Sequence, residues 1–258
     1  MLILACDTSG PVVSAALWRE GGLLAETSQR TARPHSVTLM PLIQDLLQDC
    51  ALQIGDVDAY ACSIGPGSFT GIRIGVSAVK AMAYAAGRPA IGVSSLEAIA
   101  WPYAACQDLL TCPMIDARNS RVYAAAWMGG RQLIPEANWL AGDFFAAIAS
   151  LDDCQAAGQP VGEAGRGIIA VGFYPEIIKS DRVSALNQPV WQAPASLSWP
   201  RAAAIAEIAA LRLAAGDAGA PQQLEPRYLA RTQAERCQTG TAQTQTQTQT
   251  QTQAGRHD

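Results

Sequence analysis

Apolar residues along the chain alternate between short strand-like runs and stretches with helical spacing. Asp58-Ala-Tyr-Ala-Cys-Ser-Ile64 is a compact apolar run without Pro or Gly, the pattern of a buried strand. The loop Gly65-Pro66-Gly67-Ser68-Phe69-Thr70-Gly71 follows at once. From about Thr70 to Ala86, the residues Ile72, Val76, Val79 and Ala83 recur at three- and four-residue steps, predicting an amphipathic helix capped by Ser68 or Thr70. A second face of that helix carries Gly71, Gly75, Ala78, Met82 and Ala85. Glycine inside a helix costs about 1 kcal/mol relative to alanine, so Gly75 implies close approach of another element, from this chain or from a partner.

The same reading gives strands at Leu2 to Cys6, Val12 to Trp18 and Leu23 to Gln29, the first two joined by the turn Asp7-Thr8-Ser9-Gly10-Pro11. Between Ser36 and Cys50, Leu39, Leu42, Ile43, Leu46, Leu47 and Cys50 predict a helix with Pro41 near its start. Its apolar face is broader than one contact surface needs, which leaves part of it for a partner. Arg88 to Val93 reads as a strand, and Ser95 to Ala105 as a helix interrupted at Pro102.

The opening pattern then returns. Cys112-Pro-Met-Ile115 leads to Asp116 as Leu2 to Cys6 leads to Asp7, and Trp18 and Trp127 stand at the same offset from the two aspartates. Val13 and Val122, Ala15 and Ala124, and Ala16 and Ala125 fall in register between them, which indicates a duplicated lobe. Further on, helices are expected at Trp139 to Ser150 and Trp199 to Ala215, a strand at Gly167 to Gly172 and a loop at Val161 to Arg166. The loop Phe173-Tyr-Pro175 lacks the glycines of its counterpart. From Gln238 the chain becomes a Gln-Thr tract that cannot build a core and reads as a disordered tail.

With 258 residues and 49% hydrophobic content the chain can bury a sizeable core. A net charge of −4 and scattered basic residues, of which only Lys80 and Lys179 are lysine, argue against an autonomous nucleic-acid binder. The 7 cysteines form no Cys-x-x-Cys pair, which fits reduced thiols better than disulfides or a zinc site. No basic leader precedes Leu2, and no apolar run reaches spanning length, so neither a signal peptide nor a membrane segment is expected.

The glycine loop precedes a helix N-terminus, where backbone N–H groups favour anions. It is neither a P-loop, since no lysine precedes Lys80, nor a dinucleotide fingerprint, since its third glycine is one residue late. A structural strand-to-helix turn is the simpler reading.

Two hairpins opening on Asp, each followed by alternating helices and strands, resemble the actin, sugar-kinase and heat-shock ATPase superfamily. Within it, five stretches are similar to the TsaB (YeaZ) family: Asp7-Thr8-Ser9; Arg33-Pro-His-Ser36 with Leu39 and Pro41; Ser63 to Gly75; Ile115-Asp-Ala-Arg118 with Val122-Tyr123; and Glu225-Pro-Arg-Tyr-Leu229. The resemblance covers roughly residues 1 to 232, and its long Gly-Pro-Gly block is the specific part. It implies an α/β fold of two actin-like, ribonuclease H-like lobes from a duplicated βββαβα unit, mixed central sheets flanked by helices. The expected domains are 1–108, with the partner-binding helices, 109–232, and the tail 233–258.

The resemblance further implies a non-catalytic scaffold that binds a TsaD-like catalytic subunit and supports threonylcarbamoyl transfer to tRNA adenosine. It needs no cofactor of its own. A homodimer when alone, a TsaE-like ATPase reached through the complex, tRNA contact only through the complex, no membrane and a cytoplasmic location all follow. On this reading the partner interface comprises His35, Leu39, Leu42, Ile43, Leu46, Gly71, Ile72, Gly75, Ala78, Val79 and Met82. TsaD-like proteins carry His-x-x-x-His on the first of these helices; here His35 is followed four residues on by Leu39, so a metal would lack its second imidazole. Asp7, Thr8, Ser9, Asp116 and Arg118 then form a degenerate nucleotide cleft. Arg118 is expected in a salt bridge across it, and Asp7 either faces a metal or caps its own turn. The alternative is an ATP-dependent phosphotransferase using Asp7. A protease reading lacks both His-x-x-x-His and Gly-x-Ser-x-Gly.

Overall fold

Strand β1 (Leu2–Asp7) is buried along its whole length, as a strand covered on both faces must be. In the computed structural model it is the middle of a five-stranded sheet. It runs antiparallel to β2 (Val12–Arg19), which pairs with β3 (Gly22–Arg30), and parallel to β4 (Ala59–Gly65), which pairs with β5 (Ala90–Ser94). The structure describes residues 1–156, 167–173, 186, 188–217 and 219–229.

A second sheet repeats this arrangement. Its centre is β6 (Leu110–Arg118), antiparallel to β7 (Arg121–Met128), which pairs with β8 (Arg131–Leu140). On its other side β6 runs parallel to β9 (Ile168–Phe173), which pairs with β10 (Val190–Gln192). The orders β3-β2-β1-β4-β5 and β8-β7-β6-β9-β10 are therefore equivalent, and the duplication suggested by the two hairpins is real.

Alternation along β1 sorts its side chains between two cores. Leu2, Leu4 and Cys6 join Leu39, Leu42, Ile43, Leu46 and Leu47 of α1 (His35–Asp49) and Ile72, Val76, Val79 and Ala83 of α2 (Phe69–Ala86). Ile3 and Ala5 lie on the opposite face with Ala59, Ala61, Ile91 and Val93, and are covered by Ile205, Ala206, Ile208 and Ala209. Those four belong to a helix from far along the chain. After α3 (Ser95–Ala100) and α4 (Ala141–Ala156), whose Phe144 and Ile148 pack on Met114, Val122 and Ala124 of the second sheet, it is α5 (Ala202–Ala214). In the other direction, Ile99 of α3 packs with Val171 of β9 and Ala193.

Each half of the chain thus lends a helix to the other's surface, across the expected boundary at residues 108 and 109. Residues Met1–Arg227 pack as one compact unit; Tyr228–Asp258 form a second, of which Tyr228 and Leu229 are described. Two element boundaries also move, and one strand is added. Trp139 and Leu140 end β8, so the helix expected from Trp139 starts at Ala141. β8 itself is absent from the hydrophobic pattern because Pro135 breaks its alternation, a residue that an edge strand tolerates. The helix expected to reach Ala105 stops at Ala100 and continues as a single tight turn, Trp101–Tyr103. The expected loop at 161–166, Tyr174-Pro175 and the tail 233–258 lie outside the described residues.

A fragment of residues 1–108 lacks α5 and leaves Ile3, Ala5, Ala59, Ala61 and Ile91 bare on one sheet face. It is expected to show no cooperative urea transition by circular dichroism, whereas the full chain shows one. A sharp transition in the fragment would favour the boundary at 108.

Candidate functional site

The β1–β2 turn brings Asp7, Thr8 and Ser9 together in the interior, where they are 1%, 1% and 4% exposed. Asp7 Oδ1 accepts hydrogen bonds from the Ser63 hydroxyl on β4 and from the Ser9 N–H. Its Oδ2 is buried without a hydrogen-bond partner among the described residues. Burial pushes the Asp7 pKa above its ordinary value of 3.8, while the bonds from Ser63 and Ser9 and the charge of His35 pull it down. Burial, and secondarily Asp7, pushes the thiol of neighbouring Cys6 up to about 12, so it carries no nucleophilic thiolate near neutrality.

Thr8 fits a notch in α2. Its hydroxyl donates to the Gly71 carbonyl at 2.7 Å. A Cβ on Gly71 would collide with the Thr8 carbonyl oxygen, and one on Gly75 would lie 2.5 Å from Thr8 Oγ1. The small-residue stripe is thus explained within the chain at those two positions. The Thr8 carbonyl in turn lies 3.3 Å from His35 Nδ1, and since a carbonyl only accepts, that ring nitrogen carries the proton. The glycine loop closes over the next residue: the Ser68 N–H donates to the Ser9 carbonyl at 2.7 Å, and Gly67 packs against the same carbonyl.

The second hairpin is built differently. Arg118 pairs with Arg121, leaving the two-residue turn Asn119-Ser120, with positive φ angles of 64°, 53° and 58° at Arg118, Asn119 and Ser120. Such φ angles favour Gly or Asn, and only Asn119 meets that preference. Asp116 is exposed and accepts from the Arg118 N–H at 2.7 Å, so it caps its own turn. Arg118 is also exposed and makes no ion pair with any described residue, which corrects the expected bridge across the cleft. Near the first turn, the Trp199 ring lies against Gly10 and stacks on Phe173 with ring centroids 4.6 Å apart.

The outer side of α1 and α2 forms a groove of about 490 Å³, lined by Ser36, Leu39, Met40, Phe69, Thr70, Arg73, Ile74, Ser77 and Ala78. The Arg73 guanidinium sits 3.9 Å over the Phe69 ring at its edge. Val37, Met40 and Tyr84 are 58%, 46% and 68% exposed on the same two helices. Among the expected interface residues, Leu39 and Ala78 line this groove. His35 and Met82 are half-buried, whereas Leu42, Ile43, Leu46, Gly71, Ile72, Gly75 and Val79 are buried beneath α1 and α2. Most of the residues that the resemblance implies for the interface thus lie on the inward face that helical periodicity marks. Met40, Phe69, Arg73 and Ser77 were missed, although the steps Ser36 to Met40 and Phe69 to Arg73 to Ser77 mark the outward stripe. Among the described residues no three His, Cys, Asp or Glu side chains gather as metal ligands, the five described cysteines are free, and no helix is long and apolar enough to cross a membrane.

Two topologically matched mixed sheets joined by exchanged helices define an actin-like protein. The family model for TsaD, tRNA N6-adenosine threonylcarbamoyltransferase, matches residues 19–248. The tRNA threonylcarbamoyladenosine biosynthesis protein TsaB of Bacillus subtilis (strain 168) is 35% identical over 156 residues, which are 59% of this chain and 68% of that protein. Its namesake in Escherichia coli (strain K12) is 38% identical over 130 residues, 49% of this chain and 55% of that protein. The crystal structure of a Pseudomonas aeruginosa protein described as similar to peptidase YEAZ superposes with a TM-score of 0.70 at 28% identity, covering 89% of this chain and 99% of that one. The chain belongs to the TsaB (YeaZ) family, within the wider group that the TsaD model describes.

Two outcomes follow from the geometry. Because the folded-state pKa of Asp7 is raised, its contribution to stability is greatest below the unfolded value and falls as pH rises through the folded one. The stability of Asp7→Asn relative to the parent, measured by urea unfolding between about pH 4 and 8, should therefore rise with pH; a flat difference would contradict the buried acid. Gly75→Leu should cost about 2–4 kcal/mol of folding stability, since Thr8 has no room to retreat. Unchanged denaturation with selective loss of partner binding would return Gly75 to the outer surface.

Proposed function

We propose that this chain is a non-catalytic subunit that docks on a TsaD-like catalytic subunit and is needed for threonylcarbamoyl transfer to tRNA adenosine. The observation that carries this reading is the contrast between its two sites. At the turn expected to line a nucleotide cleft, Asp7 is tied to Ser63 and Ser9, and the glycine loop rests on Ser9. The α1–α2 groove, by contrast, is open and lined in part by exposed Met40 and Phe69. Leu39, standing where a TsaD-like protein has its second metal-binding histidine, is 1% exposed and part of the core.

The names of the Bacillus and Escherichia relatives, both tRNA threonylcarbamoyladenosine biosynthesis proteins, support the pathway. A TsaD-like subunit would seat its own helix pair in the groove, making a four-helix contact in which ridges fill grooves. A second copy of this chain presents the same surface, so homodimer and complex compete. A TsaE-like ATPase and tRNA would be reached through the complex, in the cytoplasm where tRNA is modified.

Purified chain and a recombinant TsaD-like subunit, titrated by calorimetry, test this. Met40→Asp and Ser77→Arg, which change the groove without touching the core, should each weaken binding about 30-fold or more, with thermal midpoints held within about 2 °C. Undiminished affinity in both would remove the groove from the interface. The phosphotransferase reading predicts ATP binding by the isolated chain that disappears in Asp7→Asn; the present reading expects no heat of ATP binding in either.

A further inference from the structure

The segment Glu225-Pro-Arg-Tyr-Leu229 has no part in either site, yet the residues leading into it are fastened to β5, to Lys80 of α2 and to the end of β4. The Ala90 N–H on β5 bonds to the Gly219 carbonyl at 3.4 Å. Lys80 on α2 donates its ammonium to the carbonyls of Gln222 at 2.8 Å and Leu224 at 3.4 Å. The Leu224 side chain drops into the core beneath α1 and α2. The Arg227 N–H then donates to the Ile64 carbonyl at the end of β4, at 2.7 Å. A Cβ on Gly65 would lie 2.8 Å from the Arg227 carbonyl, so the chain passes directly over the start of the glycine loop.

The far end is anchored in the other sheet. The Arg227 guanidinium meets the Glu136 carboxylate of β8 at 2.8 Å, and that side chain is only 4% exposed. Ser94, the last residue of β5, also bonds to Glu136, and Arg212 of α5 joins the Gly92 carbonyl to Glu97 close by. The Arg227 side chain itself is half-exposed, so the link is a charge-assisted hydrogen bond from a partly solvated guanidinium to a buried carboxylate.

We propose that residues 219–227 are a positioning strap, through which the second sheet, by way of Glu136 and Arg227, holds the Gly65–Gly67 loop and the first turns of α2 in the form that presents the outer groove. Its consequence for partner binding rests on the docking reading above; its effect on the loop does not.

Hydrogen–deuterium exchange of the full chain tests the strap. Arg227→Gln and Glu136→Gln each remove the ion pair while keeping a polar side chain, and each should speed exchange across residues 65–76 about tenfold, with β1 unaffected. The double variant should exchange no faster than either single one, because both remove the same link. Should Arg227→Gln fail to fold, Glu136→Gln alone carries the test. A change confined to residues 219–227, or additive effects in the double variant, would overturn the proposal. Measuring TsaD-like subunit affinity on the same preparations separates the two readings: a loosened loop with full affinity upholds the strap and defeats the docking surface. Weakened affinity with residues 65–76 unchanged defeats the strap.

Discussion

The geometry of this protein depends on one hydrogen-bonded contact, the Thr8 hydroxyl seated in the notch between Gly71 and Gly75. A buried hydroxyl is costly unless bonded, and here its acceptor is a helix carbonyl reached only because two glycines let the backbone of α2 come close. The same residue offers its carbonyl to His35 at the start of α1. Both helices of the outer groove are therefore hung from one residue of the β1–β2 turn, and their separation is set from inside the molecule.

That arrangement uses the groups a phosphate would need. An anion site at a hairpin turn requires free backbone amides and an open approach. The Ser9 N–H is already committed to Asp7, and the Ser9 carbonyl draws Ser68 and Gly67 down onto the turn. The glycine loop that leads into α2 lies against the turn, so the contacts that fill the turn also fix the start of that helix. The short bond between Ser63 and Asp7 fixes the carboxylate at the same place, turning a residue suited to bind a cation into a tie between β1 and β4.

Much of this was legible in the residues, and the failures have physical causes. Helices α1 and α2 followed from periodicity because each has one buried face, and β1 and β4 from continuous apolar runs because both of their faces are covered. The duplication followed from the paired aspartates and tryptophans. Periodicity marks which side of a helix is buried but says nothing of what buries it, so Leu42, Ile43, Leu46, Ile72 and Val79 were given to a partner when their own sheet covers them. The true outer stripe is mixed in character, with Met40 and Phe69 next to Ser77 and Arg73, and a mixed stripe gives no strong apolar signal. The exchange of α5 onto the first sheet is a long-range pairing that no local pattern encodes. β8 escaped because Pro135 interrupts it, and β10 because three residues are too few to show a period.

The two halves have diverged in a way that fits a division of labour. In the first hairpin, Thr8 to Pro11 form a turn that reaches across to α2, whereas the second closes in two residues and its Asp116 caps only itself. β4 is followed by a glycine loop that packs on that first turn, while β9 ends in Phe173, stacked on Trp199. An aromatic stack at that position is rigid and needs no ligand to hold it, which suits a lobe that braces rather than binds. Glu136 extends the brace, since its buried carboxylate on an edge strand pairs with Arg227 and also bonds to Ser94. Because the N–H of Arg227 is also fixed to the end of β4, the second sheet cannot shift without pulling on the loop that sets α2. One residue, Arg227, thus touches both sheets, through its guanidinium on β8 and its backbone N–H at the end of β4.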